Sequence, residues 1–231
     1  IISKHLLPIY NKPMIYYPLS TLMLGGIREY LIITNPSYLK LYQDLLGYGD
    51  DLGINIRYKV QKKPEGLPQA FIIGEKFIDN EPVCLNLGDH IFFGNDVNRL
   101  LKKNINSFKK TTIFAYRYEK PNEYGVINLN KKNRPISILE KPVKPKSNLI
   151  VCGLYIYDKN VVELSKNLKF SKRGELEISD LNNLYLKNNT LNVEIIDKKN
   201  HWIDAGSPEK IFEASKLIES IEKRKKSYIG F

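Results

Sequence analysis

The chain has 231 residues, of which 42% are hydrophobic, which is enough for an α/β domain with a large buried core. This hydrophobic fraction excludes a chain that is disordered throughout. The net charge is +11, but most lysines are scattered in short pairs and no nucleic-acid-binding motif accompanies them. We therefore interpret the charge as a solvated surface suited to a small phosphorylated ligand, and we expect no nucleic-acid partner.

The cysteines and histidines indicate a reducing compartment and no zinc site. Cys84 and Cys152 lie in apolar, strand-like runs, which is typical of small core residues. His5, His90 and His201 are isolated from one another, and no Cys/His spacing suits zinc. We also find no signal-peptide pattern and no apolar segment of membrane-spanning length. These features predict a cytoplasmic protein with no membrane partner.

In the first half of the chain, short apolar runs alternate with segments of helical periodicity. Continuous apolar runs are typical of strands that are buried on both faces of a parallel sheet. The alternation therefore predicts a doubly wound arrangement. The predicted strands are 30–34, 55–60, 82–87 and 111–117, and the predicted helices are 13–27, 38–46, 68–77 and 96–103.

After residue 124 the strand-like segments are separated by turns rich in proline and lysine. The predicted strands are 125–129, 135–140, 148–157 and 191–196, and the predicted helices are 159–168, 177–187 and 207–225. No linker and no internal repeat divides the chain, so we expect one domain over residues 1–231. The expected fold is α/β and Rossmann-like, with a mixed but mainly parallel sheet and helices on both faces.

Two aspartates follow strand-like runs at the positions where an open parallel sheet binds its ligands. Asp89 follows Gly88 after one buried run, and Asp204 follows Trp202 and Ile203 later in the chain. Two carboxylates from separate strand ends would suit a hard cation such as Mg²⁺, which prefers oxygen ligands. Each motif alone is more often part of a turn, so the two indicate a metal site only in combination with other motifs.

A series of motifs then resembles the glucose-1-phosphate thymidylyltransferases of the sugar nucleotidyltransferase family. The first is K-H-L-L-P-I-Y-N-K-P-M-I-Y-Y-P-L at 4–19, and the second is Q-K-K-P-E-G-L-P-Q-A at 61–70. The rest follow in the family's order at 87–89, 123–126, 140–142, 146–148, 173–178 and 202–204. The resemblance covers nearly the whole chain, and the motifs are specific as a set.

The resemblance implies that the chain joins a sugar 1-phosphate to a nucleoside monophosphate taken from a nucleoside triphosphate. It implies dTTP and glucose 1-phosphate as substrates and Mg²⁺ as the cofactor, held by Asp89 and Asp204. By the same resemblance, Lys4 reaches the triphosphate, while Lys141 and Arg173 hold the sugar phosphate. Because both reactants are anions, such a reaction depends on cations and alignment more than on acid–base groups. Without the resemblance, we would interpret the lysines as surface residues and Arg173 as an ion-pair partner of Glu175 or Glu177.

The resemblance also divides the chain into a nucleotide-binding half, about residues 1–120, and a sugar-binding half, about residues 121–231. It further implies a homo-oligomer, a tetramer in the family, that supplies dTDP-glucose for dTDP-rhamnose and cell-surface polysaccharide biosynthesis. The residues implied to bind the nucleotide are Gln61, Pro64, Gly66 and Asp89, and those implied to bind the sugar are Tyr124, Gly125, Glu140, Val151 and Tyr155.

Some features depart from the family's pattern. His5 and His90 stand where the family often has Gln and Asn, and Cys152 stands where Thr is common. The glycine-rich triphosphate loop with which the family opens is not found, and we expect both ends to be trimmed.

Two alternative functions therefore stay open beside the first. One is a UTP-dependent uridylyltransferase, which G-L-P-Q-A at 66–70 disfavours because uridylyl relatives commonly have G-L-G-H-A. The other is an inactive fragment that binds a sugar phosphate or a partner subunit.

Overall fold

The computed structural model describes residues 3–132, 134–225 and 229–230, without the side chains of Asn95 and Lys225. The strands are β1 Pro8–Ile9, β2 Lys12–Pro13, β3 Glu29–Thr34, β4 Asn55–Val60, β5 Val83–Asn86, β6 His90–Phe93, β7 Thr111–Arg117, β8 Gly125–Leu129, β9 Pro135–Glu140, β10 Leu149–Tyr157, β11 Leu191–Ile195 and β12 His201–Asp204. The helices are α1 Tyr16–Leu24, α2 Leu39–Leu46, α3 Gln69–Ile73, α4 Glu75–Ile78, α5 Asn95–Asn106, α6 Val161–Lys166, α7 Ile178–Lys187 and α8 Pro208–Lys225.

These elements form two compact units. Unit 1 contains the described residues of 1–28, 86–107 and 196–231, and unit 2 contains 29–85 and 108–195. Both units are discontinuous in sequence, whereas the expected halves meet near residue 120. The organisation as one domain with those halves stays a prediction. Among the residues that the structure describes, no helix is both long and apolar enough to cross a bilayer.

Unit 2 is built around a mixed sheet with the strand order β11-β7-β10-β8-β9, and β5 pairs with β10 off this path. All nine residues of β10 are buried, as its continuous apolar sequence predicts for a strand covered on both faces. Phe71 of α3 packs edge-on against Tyr157, with ring centroids 5.1 Å apart. Leu181 of α7 belongs to the same core. Strands β3 and β4 form a separate parallel pair in this unit.

Unit 1 contains two short antiparallel pairs, β1 with β2 and β6 with β12. All four residues of β6 are buried. The core includes Ile9, Met14, Ile91 and, from α8, Ala214 and Ile218, each with no exposed surface. This packing fixes the short β6–β12 ladder, which positions the two aspartates singled out in the sequence.

The predicted mixed α/β class is confirmed, but antiparallel pairing has a larger share than expected. Parallel ladders join β3 to β4 and β11 to β7, while β7–β10, β10–β8 and β8–β9 are antiparallel. The segment between β8 and β9 is too short for the crossover that parallel neighbours require, so these strands form a hairpin. The helix predicted at 68–77 is interrupted at Gly74.

The edge strand β9 is protected by one side chain of α7. The backbone N–H of Ile138 donates to Oδ1 of Asn183 at 3.0 Å, and Nδ2 of Asn183 donates to the Ile138 carbonyl at 2.7 Å. One amide thus occupies both a donor and an acceptor that an edge strand would otherwise present to another chain.

We predict that Asn183→Leu lowers the free energy of unfolding by about 1–3 kcal/mol, because it leaves these backbone groups without partners. Urea denaturation of the variant beside Asn188→Leu provides the measurement. Asn188 is exposed at the C-cap of α7, so its substitution should change stability by less than about 0.5 kcal/mol. Equal stability of the two variants would contradict the role of Asn183.

Candidate functional site

In unit 1, the β6–β12 ladder brings together a carboxylate cluster, which we define as Asp89, His90 and Asp204. Asp204 is the register partner of His90, and the backbone N–H of Ala205 donates to the Asp89 carbonyl at 2.8 Å. One ligand atom from each member of the cluster lies within 4.8 Å of the others. The two aspartates, 115 positions apart in sequence (204 − 89), therefore share one small volume.

Each carboxylate of the cluster has a lysine partner. Lys4 Nζ lies 2.5 Å from Asp89 Oδ2, and Lys210 Nζ lies 3.1 Å from Asp204 Oδ2. Burial of Asp89 opposes its ionisation, but His90, Lys4 and His5 outweigh burial and hold the pKa of this carboxyl below its ordinary value. Asp89 is therefore ionised at neutral pH.

The donor set of the cluster fits a hard divalent cation. Two carboxylates supply the anionic oxygens that Mg²⁺ prefers, and phosphate oxygens and water complete its octahedron in many enzymes. The imidazole of His90 suits Mg²⁺ less well, and its ring also packs edge-on against Trp202 at a centroid distance of 5.3 Å. The ammonium groups of Lys4 and Lys210 both pair with the cluster. A metal site needs the same attraction for positive charge.

His5 lies beside the cluster but is a packed side chain. A Cβ at Gly88 would lie only 3.0 Å from Cδ2 of His5, so the ring contacts the backbone of the loop before Asp89. Burial lowers the pKa of His5; Asp89 opposes this change and Lys4 adds to it. The ring is therefore neutral at pH 7 and helps to hold the Asp89 loop in place.

In unit 2, residues 61–70, which the resemblance implies to be the base-binding loop, are attached to the segment that precedes α7. The backbone N–H of Leu176 donates to the Glu65 carbonyl at 2.8 Å, and Gly66 forms an isolated bridge with Leu176. Gly66 has a φ of 106°, and a Cβ there would lie 2.1 Å from the Leu176 carbonyl oxygen. Only glycine fits this close approach of two backbones. Pro64 is exposed at the turn of the loop.

Three side chains inside this loop form a chain of hydrogen bonds. Nε2 of Gln61 donates to Oε1 of Gln69. Nε2 of Gln69 donates to a carboxylate oxygen of Glu65 at 2.6 Å, and the Glu65 backbone N–H donates to Oε1 of Gln69 at 3.2 Å. The amide of Gln61 is thus held by its neighbours in the loop.

In unit 2, Arg173 of the segment before α7 and Ser179 in the first turn of α7 both contact the end of β9. Ser179 Oγ donates to Glu140 Oε2 at 2.5 Å, and Arg173 Nη1 lies 3.9 Å from Glu140 Oε1. Burial raises the pKa of Glu140 most; Ser179 counteracts this change and the neighbouring Glu177 adds to it, while Lys141 and Arg173 lower the pKa. Glu140 is therefore a partly buried carboxyl group that accepts from the hydroxyl of Ser179.

Arg173 also forms the ion pairs that the sequence offered as its alternative interpretation. Its guanidinium lies 3.4 Å from Glu175 and 3.7 Å from the buried Glu177, which accepts from Ser171 at 2.7 Å. The exposed guanidinium therefore has three carboxylates around it. This arrangement orients the fork of Arg173 and is compatible with a phosphate ligand as well as with a structural role.

The other predicted sugar-binding residues lie around the start of β8. Gly125 is the register partner of Glu140, and the Lys141 backbone N–H donates to the Tyr124 carbonyl at 3.0 Å. Lys141 has a φ of 42°, an uncommon value that turns the chain sharply after β9, and its side chain is exposed.

Val151 and Tyr155 are buried on β10. Burial and the charge of Glu140 raise the pKa of Tyr155. A Cβ at Gly125 would lie 3.6 Å from Val151 Cγ2 and 3.5 Å from Glu140 Oε2, so both side chains lie close to Gly125.

The predicted site residues thus fall into two groups, each inside one unit. Unit 1 holds Lys4, Asp89 and Asp204, and unit 2 holds the rest; the roles assigned to them stay predictions. Sequence reasoning missed Lys210, which offered one signal: a lysine in the first turn of α8 opposes the helix dipole. It also missed the contacts of Gln69 and Ser179, for which the sequence gives no signal beyond their place in motifs.

Comparison with known proteins identifies the family. The sequence profile of the family described as "Nucleotidyl transferase" matches residues 2–221. A glucose-1-phosphate thymidylyltransferase from Neisseria meningitidis serogroup A is 50% identical over 221 residues, which are 96% of this chain and 77% of that protein.

Solved structures agree with this result. A structure from Bacillus anthracis, provisionally assigned as a glucose-1-phosphate thymidylyltransferase and determined in complex with sucrose, superposes with a TM-score of 0.86 at 35% identity, covering 94% of this chain and 87% of that one. A UDP-glucose pyrophosphorylase bound to UDP-glucose shares the fold with a TM-score of 0.82, at 24% identity and covering 94% and 90% of the two chains. The chain therefore belongs to the nucleotidyl transferase family of enzymes, and its relatives there include glucose-1-phosphate thymidylyltransferases.

Proposed function

We propose that this nucleotidyltransferase transfers a thymidylyl group from dTTP to glucose 1-phosphate, giving dTDP-glucose and pyrophosphate. A phosphate oxygen of the sugar phosphate forms a bond to the α-phosphorus. The bond from that phosphorus to the oxygen bridging to the β-phosphorus breaks, and its electron pair leaves with pyrophosphate. No covalent enzyme intermediate and no net proton transfer are needed.

The observation that carries this proposal is the carboxylate cluster beside Lys4, in a chain whose named relatives are thymidylyltransferases. Asp89 and Asp204 would hold Mg²⁺, and the bound ion would neutralise phosphate charge during the displacement. Lys4 lies 2.5 Å from Asp89 and would exchange this contact for a triphosphate oxygen. In this role the cluster binds and orients the triphosphate.

In unit 2, the proposed roles follow from the chemistry of each side chain. The amide of Gln61 would read the base, because it offers one donor and one acceptor to a pyrimidine edge. Lys141 and Arg173 would hold the sugar phosphate. Glu140 would accept hydrogen bonds from sugar hydroxyls. Because burial raises the pKa of Glu140, the ability of this carboxyl to accept them would depend on pH.

We also propose a homo-oligomeric enzyme of a reducing, cytoplasmic compartment. Neither Cys84 nor Cys152 forms a disulfide, and burial raises the pKa of Cys84 to about 12, so the Cys84 thiol is unreactive at neutral pH. The family resemblance favours a tetramer, which light scattering on the purified protein would test.

The first prediction concerns the choice of nucleotide. With glucose 1-phosphate and Mg²⁺, dTTP should give dTDP-glucose and pyrophosphate, and UTP should be the nearest competitor. Thymine and uracil differ by one methyl group, which is worth about 1 kcal/mol in a pocket. Mass spectrometry of the products with each nucleotide would check this order. Equal or better use of ATP or CTP would contradict the thymidine assignment.

The second prediction concerns the carboxylates. Asp89→Asn and Asp204→Asn should each lower kcat by about a hundredfold or more. Each variant removes an anionic ligand of the proposed cation, and a bound cation stabilises the transition state by several kcal/mol. Thermal unfolding should change little, since the carboxamide preserves shape. Asp44→Asn, which alters an exposed ion pair with Lys40, is the matched control and should keep full activity. Full activity in either cluster variant would return that aspartate to a structural role.

The third prediction concerns pH. Ser179→Ala removes a hydrogen bond that favours ionised Glu140, so the pKa of Glu140 should rise further. The acidic limb of kcat/KM for glucose 1-phosphate should therefore move to higher pH. The ionisation of the substrate phosphate is common to both enzymes and cancels in the comparison. Ser165→Ala, a buried serine of α6, is the control whose profile should stay in place. Identical limbs in all three proteins would argue against this role of Glu140.

A further inference from the structure

From the loop contacts, we infer that Gln69 is a positioning residue that fixes the amide of Gln61 in one of its two flips and so selects keto pyrimidines over cytosine. This inference rests on the proposed function, in which Gln61 reads the base. It adds a specificity relay, which we define as Glu65, Gln69 and Gln61.

The relay begins at Glu65, whose side chain and backbone have opposite hydrogen-bonding character. An ionised carboxylate only accepts, and it receives a hydrogen bond from Nε2 of Gln69 at 2.6 Å. The backbone N–H of Glu65 only donates, and it reaches Oε1 of Gln69 at 3.2 Å. The positions of the oxygen and the nitrogen in the Gln69 amide are therefore fixed, because the backbone N–H of Glu65 only donates and its carboxylate only accepts.

The second step passes this assignment to Gln61. Since Oε1 is the part of the Gln69 amide that faces Gln61, Gln61 must present its donor, Nε2. The opposite flip would bring two carbonyl oxygens together without a hydrogen between them, which costs far more than a lost surface contact. The flip of Gln61 is thus set by residues that do not touch the base.

The third step is the match to the base. With Nε2 anchored, its second hydrogen can donate to a carbonyl oxygen of the base, and Oε1 can accept from a ring N–H. Thymine and uracil offer that acceptor and donor at O4 and N3. Cytosine offers the reverse order, a donor at N4 and an acceptor at N3, and would need the other flip of Gln61.

The loop is held rigidly enough for this relay to act. Its backbone is fastened to Leu176, and the Gln61 backbone N–H donates to the Thr34 carbonyl at 2.9 Å. Because the 5-methyl group of thymine lies away from this donor–acceptor edge, the relay distinguishes thymine from cytosine but not thymine from uracil.

The test compares kcat/KM for dTTP, dUTP and dCTP in three variants. Gln69→Leu removes the anchor, and the dTTP:dCTP ratio should fall about tenfold. Gln69→Lys places a donor where Oε1 stood, which should turn Gln61 to its other flip and lower the ratio about tenfold further. The exchange Glu65→Gln with Gln69→Glu keeps an acceptor facing Gln61, so this double variant should retain the wild-type preference.

The dTTP:dUTP ratio should stay constant throughout, which distinguishes the relay from general damage to the loop. Glu75→Gln changes an exposed residue of α4 that pairs with Lys166, and it controls for the added positive charge of Gln69→Lys. The inference is overturned if the dTTP:dCTP ratio is the same in all variants, or if dTTP:dUTP falls in parallel with it.

Failure of the proposed function gives a different result. In that case the wild-type chain makes no dTDP-glucose, and the relay is then tested by calorimetric titration of dTTP and dCTP. Equal affinity of the wild-type chain for the two nucleotides overturns the relay, whereas a preference for dTTP that Gln69→Lys reverses supports it. If Gln69→Leu does not fold, the lysine variant and the double variant carry the comparison.

Discussion

The backbone contact between Leu176 and the 65–66 turn is the constraint on which the chemistry of unit 2 depends. It fastens the loop that carries Gln61 to the segment that carries Arg173 and, three residues past Leu176, Ser179. That segment in turn meets Glu140 at the end of β9. A single stretch of chain therefore sets the positions of the proposed base-reading and sugar-reading groups. The absence of a Cβ at residue 66 is what allows the contact, since any side chain there would meet the Leu176 carbonyl.

Unit 1 shows a different kind of constraint, one of charge. Asp89 and Asp204 approach each other because strand pairing brings them together, and two carboxylates at such a distance repel unless cations lie between or beside them. Lys4 and Lys210 fulfil that condition. The same attraction for cations would favour the divalent ion proposed for this cluster. In that case one electrostatic property would serve both the folded structure and the proposed metal binding.

Much of this architecture could be predicted from the sequence, for identifiable reasons. Strands 55–60, 111–117, 125–129 and 135–140 have the predicted bounds, because apolar residues recur through each strand and charged or turn-forming residues follow within a few positions. Strand β6 was not predicted, and β12 was noted only as a short strand-like run before Asp204, since each has four residues and is stabilised by pairing with a distant partner. The pairing directions in the second half were also unpredictable from periodicity, which does not encode which strands are neighbours.

The candidate site shows the same division. Asp89 and Asp204 could be singled out because each follows an apolar run and matches a family motif. Their proximity depends on register between strands more than 100 residues apart, which no local pattern contains. Lys210, Gln69 and Ser179 act through contacts with other site residues, so the sequence gives their identity but not their partners. Sequence motifs therefore predicted the residues proposed to contact the substrate better than the residues that position those side chains.

The groups proposed to bind phosphates and the group proposed to bind the base differ in how they can discriminate between ligands. Phosphates are recognised by charge, which falls off slowly with distance and depends little on the orientation of a lysine. A neutral base has no net charge, so it must be recognised by the order of donors and acceptors along its edge. A glutamine can present either order by turning its amide over, and is therefore unspecific unless a neighbour fixes it. In this protein the neighbour is Gln69, and a carboxylate that only accepts stands behind it. If Gln61 reads the base as proposed, the carboxylate of Glu65 would contribute to that recognition not by attraction but by removing one of two orientations of the Gln61 amide.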